Sequence, residues 1–120
     1  MLRIFLVDDS SPVRERIETM LLAIPSVQVV GQAGDADAAV SGILAERPDV
    51  VILDLKLGGK TGFDVLRALR AASSGADVYM LSNFASPAYR AAAAKLGALG
   101  FFDKSSEFDA LRATIAARAV

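Results

Sequence analysis

The chain has 120 residues, enough for one domain with a proper core and too few for two, and its composition, 53% hydrophobic and 22% charged, excludes a disordered segment. Thirteen Lys and Arg against fourteen Asp and Glu give a formal net charge of −1, and the basic residues are spread along the chain, which argues against nucleic acid as a partner of this chain alone. Without Cys or His there is no disulfide framework, thiolate nucleophile, ordinary zinc site or imidazole base, so any chemistry rests on carboxylates, hydroxyls and lysine.

Ile4 to Val7 reads as the first strand, and the apolar stretch it closes is shorter than a signal-peptide core before Asp8 and Asp9 interrupt it. No later run could span a bilayer, so a cytoplasmic protein with no membrane partner is expected. Ser11-Pro12 reads as an N-cap with proline at the first helical position of a helix whose Val13, Ile17, Leu21 and Ile24 share a face and which Pro25 ends. Val27 to Ala33 is a second strand, marked as an edge by Gln28 and Gln32. Asp35 caps a second helix reaching about Arg47, and Val50 to Leu53 is a third, fully apolar strand. A third helix runs from near Gly62 to Arg70, followed by a strand at Val78 to Leu81. Ser86-Pro87 starts a fourth helix that ends near Gly97, and Leu99 to Phe102 is the fifth strand. Ser106 to Asp109 has the form of a capping box with Asp in the Glu place, opening a last helix with Phe108, Leu111 and Ile115 inward.

Strands alternating with helices imply an α/β fold, a doubly wound five-stranded parallel sheet with five helices, in a single domain spanning 1–120. Asp8 and Asp9 then follow the first strand, Asp54 the third, Ser82 the fourth and Lys104 the fifth. All of them fall at carboxyl ends of strands, the edge where open α/β sheets bind ligands, so topology alone gathers them into one crevice. Three carboxylates and one ammonium leave that pocket at about −2, which calls for a hard divalent cation. Oxygen-only ligands suit magnesium, with manganese as the alternative, held by Asp8 and Asp9. A carboxylate beside such an ion can attack phosphorus to give an acyl phosphate, and Asp54 is the candidate nucleophile. Lys104 would pair with one phosphoryl oxygen and the Ser82 hydroxyl would donate to another.

Leu6-Val7-Asp8-Asp9, Ile52-Leu53-Asp54-Leu55, Leu81-Ser82 and Phe101-Phe102-Asp103-Lys104 resemble, in order and spacing, the four signature segments of response regulator receiver domains. Gly62 stands at the family's glycine position after the phosphoacceptor, and Gly97-Ala98 precedes the last strand. The resemblance covers the whole chain. It implies the flavodoxin-like strand order 2-1-3-4-5, transfer of a phosphoryl group from a histidine kinase or phosphotransfer protein to Asp54, and magnesium held by Asp8, Asp9, Asp54 and the Lys56 backbone carbonyl. It also implies a switch in which Ser82 binds the phosphoryl group and Phe101 turns inward. The fourth helix, fifth strand and fifth helix, with Tyr89, Arg90, Lys95 and Phe102, would then control a downstream protein, as a monomer or a phosphorylation-dependent dimer. The only reactions expected are the chain's own phosphorylation and dephosphorylation on Asp54, not multiple-turnover chemistry on a substrate.

Four features depart from the pattern. Phe101 stands where many members have Tyr, so an outward ring lacks a hydroxyl anchor. Ser105 replaces the proline that often follows the lysine, leaving either a trans bond or stored strain, since a cis bond outside X-Pro costs about 2.5–4 kcal/mol. Asn83 is larger than the usual residue, and Gly58-Gly59 lacks the loop's common proline. Lys56 and Phe84, each two positions after a site residue, should flank the phosphoryl group and obstruct attacking water, predicting slow self-dephosphorylation. Three other readings differ in the residues they need. A degenerate binding module would not require the full acidic set, a haloacid dehalogenase-type phosphatase would want a general acid where Ser10 stands, and a flavin-binding protein would want a phosphate-cradling loop where Asp8 and Asp9 repel phosphate.

Overall fold

The computed structural model describes residues 1–119, one short of the span expected for the domain. In chain order the elements are β1 (Leu2–Val7), α1 (Ser11–Leu22), β2 (Val27–Ala33), α2 (Ala36–Glu46), β3 (Val50–Leu53), β4 (Lys56–Leu57), β5 (Lys60–Thr61), α3 (Gly62–Ala71), β6 (Asp77–Ser82), α4 (Pro87–Lys95), β7 (Gly100–Asp103) and α5 (Phe108–Arg118). The main sheet has the order β2-β1-β3-β6-β7, with every pair parallel. Counting only its five strands, this is the expected 2-1-3-4-5 order. β2 is an edge, as its two glutamines required.

The two faces of the sheet bury separate cores because successive strand residues point opposite ways. Ile4, Leu6, Val50, Ile52 and Leu81 meet Ile17 and Leu21 of α1 and Leu111 and Ile115 of α5. Phe5, Val7, Val51, Leu53 and Met80 meet α2, α3 and α4 through Ile43, Val65, Leu66 and Ala93. Burial on both faces explains why β3 is apolar at every position. No described helix is long and apolar enough to cross a membrane.

Four local expectations change. The cap of α1 is Ser10, whose hydroxyl accepts from Val13 N, and Pro12 sits second in the helix; the Ser10 N–H is held by the Asp8 carboxylate, which places the turn one residue earlier than expected. The expected capping box at Ser106 to Asp109 does not form: α5 opens with Glu107 at its N-cap and no side-chain cap, because a tertiary partner takes the Glu107 carboxylate. A capping box is instead found at Thr61 and Asp64, opening α3. Lys56–Leu57 and Lys60–Thr61 form an antiparallel hairpin that the sequence reading missed, turning at Gly58 with φ of 74°. The last strand also begins one residue later than Leu99, which is exposed. All described peptide bonds are trans, including Lys104–Ser105, so strain of that kind is absent.

Candidate functional site

The site lies where β1, β3, β6 and β7 end together. Parallel pairing sets Val7 beside Leu53, Leu53 beside Met80 and Ser82 beside Asp103, so the residues that follow emerge along one rim. Backbone bonds continue the ladder into the loops: Asp54 N donates to Val7 O at 2.9 Å and Lys104 N to Ser82 O at 3.1 Å. The structure thus brings Asp8, Asp9, Asp54, Ser82 and Lys104 together. Asp8, Asp54 and Ser82 are buried, at 1%, 5% and 0% exposure, so three polar side chains sit where the chain would otherwise place hydrocarbon.

One carboxylate oxygen from each of Asp8, Asp9 and Asp54 falls within 4.8 Å of the others. Lys104 Nζ bridges two of them, at 2.5 Å from Asp8 and 2.8 Å from Asp54. The second Asp54 oxygen accepts the Leu55 N–H at 2.7 Å. Burial raises the Asp54 pKa and the Asp8 charge adds to this, while Lys104 and the Ser82 hydroxyl pull the other way; the net shift is upward. Burial works to lower the Lys104 pKa, but the two carboxylates outweigh it, so the amine stays charged. Three carboxylates, one ammonium and oxygen-only donors fit a hard divalent cation.

Ser82 Oγ accepts the Phe84 N–H at 3.2 Å, which leaves its own proton for the Asp54 carboxylate whose pKa it helps to lower. Lys56 lies in β4 with its ammonium 4.9 Å from the Phe84 ring centroid, so these two residues, each two positions after a site residue, are in contact. Gly62 allows the close approach that shapes the floor: a Cβ there would lie 2.5 Å from the Asp54 carbonyl oxygen. Phe101 is half-buried on β7, beside Met80, with its ring 5.3 Å from the Arg90 guanidinium. Of the expected output-face residues, Tyr89 is exposed and packs against Phe63, Lys95 is exposed, Phe102 is half-buried against Tyr79, and Arg90 is half-buried and donates to the Phe101 carbonyl.

Two residues near the rim were not singled out for these roles by sequence. Arg14 of α1 donates to the Asp8 carbonyl oxygen and to Ser11 Oγ, bracing the acidic loop from behind. Glu107 joins Arg90 to the turn that carries Lys104. An Arg in an otherwise apolar helix stripe and a Glu before a helix are common surface residues, and only their partners distinguish them. A cavity of about 610 Å³ lies at the opposite edge between the ends of α2 and α3, lined by Ile43, Arg47, Pro48 and Ser73 among others. It has no cluster of reactive groups, and the shallow acidic rim is the better candidate on chemistry.

A profile of the response regulator receiver domain matches residues 4–116, and the chain belongs to that family of two-component signalling domains. It is 34% identical over 104 residues to the DNA-binding transcriptional activator DevR/DosR of Mycobacterium tuberculosis, covering 87% of this chain and 48% of that protein. It is 34% identical over 99 residues to a protein-glutamate methylesterase/protein-glutamine glutaminase of a Nocardioides species, covering 82% of this chain and 26% of that one. The chain therefore spans between about a quarter and about half the length of these curated relatives. Among solved structures, the signal receiver domain of the putative response regulator NarL from Mycobacterium tuberculosis superposes with a TM-score of 0.90 at 33% identity, covering 98% of this chain and 95% of that one.

Proposed function

We propose that the chain, as one receiver domain over residues 1–120, accepts a phosphoryl group on Asp54 from a histidine kinase or phosphotransfer protein in the cytoplasm. The observation that carries this is the Lys104 ammonium held between Asp8 and Asp54, with the Asp9 carboxylate in the same cluster. Asp8, Asp9, Asp54 and the Lys56 backbone carbonyl would hold magnesium or manganese. When bound, the ion supplies Lewis-acid neutralisation of the phosphoryl oxygens.

An Asp54 carboxylate oxygen attacks phosphorus, the new O–P bond forms as the N–P bond to the donor imidazole breaks, and that nitrogen leaves with the electron pair and regains a proton from solvent. Lys104 is already aimed at the Asp54 oxygen and offers a charge-assisted hydrogen bond to the incoming group. The Ser82 hydroxyl donates to a second phosphoryl oxygen, which draws the loop of Asn83 and Phe84 toward the site. One such bond is worth roughly 1.5–3 kcal/mol, enough to shift a balanced pair of states. Phe101 then repacks, and the surface of α4, β7 and α5 changes for a downstream partner. The chain catalyses only its own phosphorylation and dephosphorylation.

The test is incubation with acetyl phosphate and magnesium followed by intact mass measurement. A single phosphoryl adduct is expected, lost in Asp54→Asn and in chelator. An unmodified protein, or an adduct that survives Asp54→Asn, overturns the reading and leaves a constitutive binding module.

A further inference from the structure

Arg90 extends from α4 over three separate segments. Its Nε donates to the Ala85 carbonyl at 2.9 Å, one terminal nitrogen to the Phe101 carbonyl at 2.8 Å, and the other to the Glu107 carboxylate at 2.7 Å. The Glu107 oxygen that takes Arg90 also accepts the Asp103 N–H at 3.0 Å. Ala85 is three residues beyond Ser82, and Asp103 immediately precedes Lys104. One side chain is therefore linked to both walls of the acidic rim, the loop after β6 and the turn after β7.

The turn after β7 depends on such links. Position 105 is Ser, so no proline ring stiffens it, and its shape comes from hydrogen bonds: Asp103 Oδ1 accepts both the N–H and the hydroxyl of Ser105, at 2.8 and 2.6 Å, and Glu107 N donates to Asp103 O at 2.8 Å. Glu107 is held well below the usual carboxylate range, by Arg90 first and the Asp103 N–H second, so it stays charged at neutral pH. A planar guanidinium fixes the relative positions of several acceptors at once, which a single ammonium cannot do.

We infer that Arg90 is a positioning residue that couples the Asp54 rim to α4, so that displacement of the Ser82 loop or the Lys104 turn moves the helix with it. The inference rests on the phosphoacceptor reading of Asp54 and adds how that event reaches the outer surface. A two-state element that both sites bias can couple them, and the Arg90 fork contacts both walls of the rim. The ring of Phe101 lies within 5.3 Å of the same guanidinium, so the aromatic is held by Arg90 where a tyrosine would use its own hydroxyl.

The experiment follows backbone amide NMR shifts of the full chain on addition of beryllium fluoride with magnesium, a mimic of the bound phosphoryl group, in the parent protein and in Arg90→Ala, Arg90→Lys and Glu107→Gln. In the parent, shifts are expected at Asp54, Ser82 and Lys104 and along α4 from Tyr89 to Lys95. In the variants the rim shifts persist and the α4 shifts are lost, with Arg90→Lys failing to rescue them although it keeps the charge. If Arg90→Ala does not fold, Arg90→Lys and Glu107→Gln carry the comparison. Parent-like α4 shifts in the Arg90 variants overturn the coupling while leaving the phosphoacceptor reading intact. Absence of rim shifts in the parent overturns both.

Discussion

The Lys104 ammonium meets the Asp54 carboxylate at 2.8 Å although fifty positions separate the two residues in the chain. The same nitrogen reaches Asp8 at 2.5 Å, so lysine serves as counter-ion to two buried carboxylates. Removing one partner of a buried ion pair leaves the other charge uncompensated, at about 3 kcal/mol. Lys104→Met should therefore lose roughly that much stability in chelator. Magnesium should recover a larger share in this variant than in the parent, because no ammonium competes for the carboxylates. Urea denaturation with and without magnesium measures both effects, and equal magnesium dependence in the two proteins would count against the arrangement.

Asp54 carries an opposite signature. Burial raises its pKa above the ordinary value of 3.8, so its charge opposes folding at neutral pH. A carboxyl whose native pKa lies above its unfolded one destabilises most above the native value, and the penalty fades as pH falls toward 3.8. Asp54→Asn should accordingly be more stable than the parent at pH 7 in chelator, with the gap closing toward acid pH. Chemical denaturation across that range tests the sign.

Lys56 and Phe84, two positions beyond Asp54 and Ser82, are in contact, the ammonium 4.9 Å from the ring centroid. If Asp54 takes a phosphoryl group, as proposed, the pair would obstruct the approach of water to it, and a cation over an exposed ring would hold it there with about 0.5–1 kcal/mol. Lys56→Asn and Phe84→Ser should each shorten the phosphoryl lifetime by about three- to tenfold, equal to roughly 0.6–1.4 kcal/mol of barrier. Phosphate release from the isolated adduct is the measurement, and unchanged lifetimes would refute the shielding role.

Glu107 and Asp103 both have lowered pKa values, Glu107 through Arg90 and the Asp103 N–H, and Asp103 through the hydroxyl and N–H of Ser105. A depressed native pKa contributes stability that is complete above the unfolded value and lost as pH falls through the native one. The turn after β7 should keep its structure while pH drops past the ordinary 4.5 and 3.8 of these groups, and open only at lower pH. In Glu107→Gln the Glu107 share of this dependence disappears. Amide exchange of Asp103 and Ser105 against pH reports the midpoint, which must lie below the ordinary values if the ion pair holds.

The five strands, five helices and rim residues were legible because each is a local signal repeated along the chain, whereas the order of the strands came only with the resemblance to receiver domains. Short apolar runs such as Val50 to Leu53, bounded by polar residues and rich in β-branched side chains, read as doubly covered strands, and the acids that break them stand at their carboxyl ends. Less was legible where two similar residues compete. Ser10 and Ser11 are equally good caps by type, and the Asp8 carboxylate decided between them by fixing the Ser10 N–H. The short hairpin around Gly58 was missed because two-residue strands carry no periodicity.

Residue order by itself determined the sheet, its two covered faces and the gathering of Asp8, Asp9, Asp54, Ser82 and Lys104, because alternation and strand ends are properties of neighbours in the chain. Only the tertiary structure decided that Glu107 answers Arg90 instead of capping α5, and that Arg14 braces the acidic loop. Those side chains are long enough to reach several partners, and which acceptor lies within their range depends on how helices dock over the sheet.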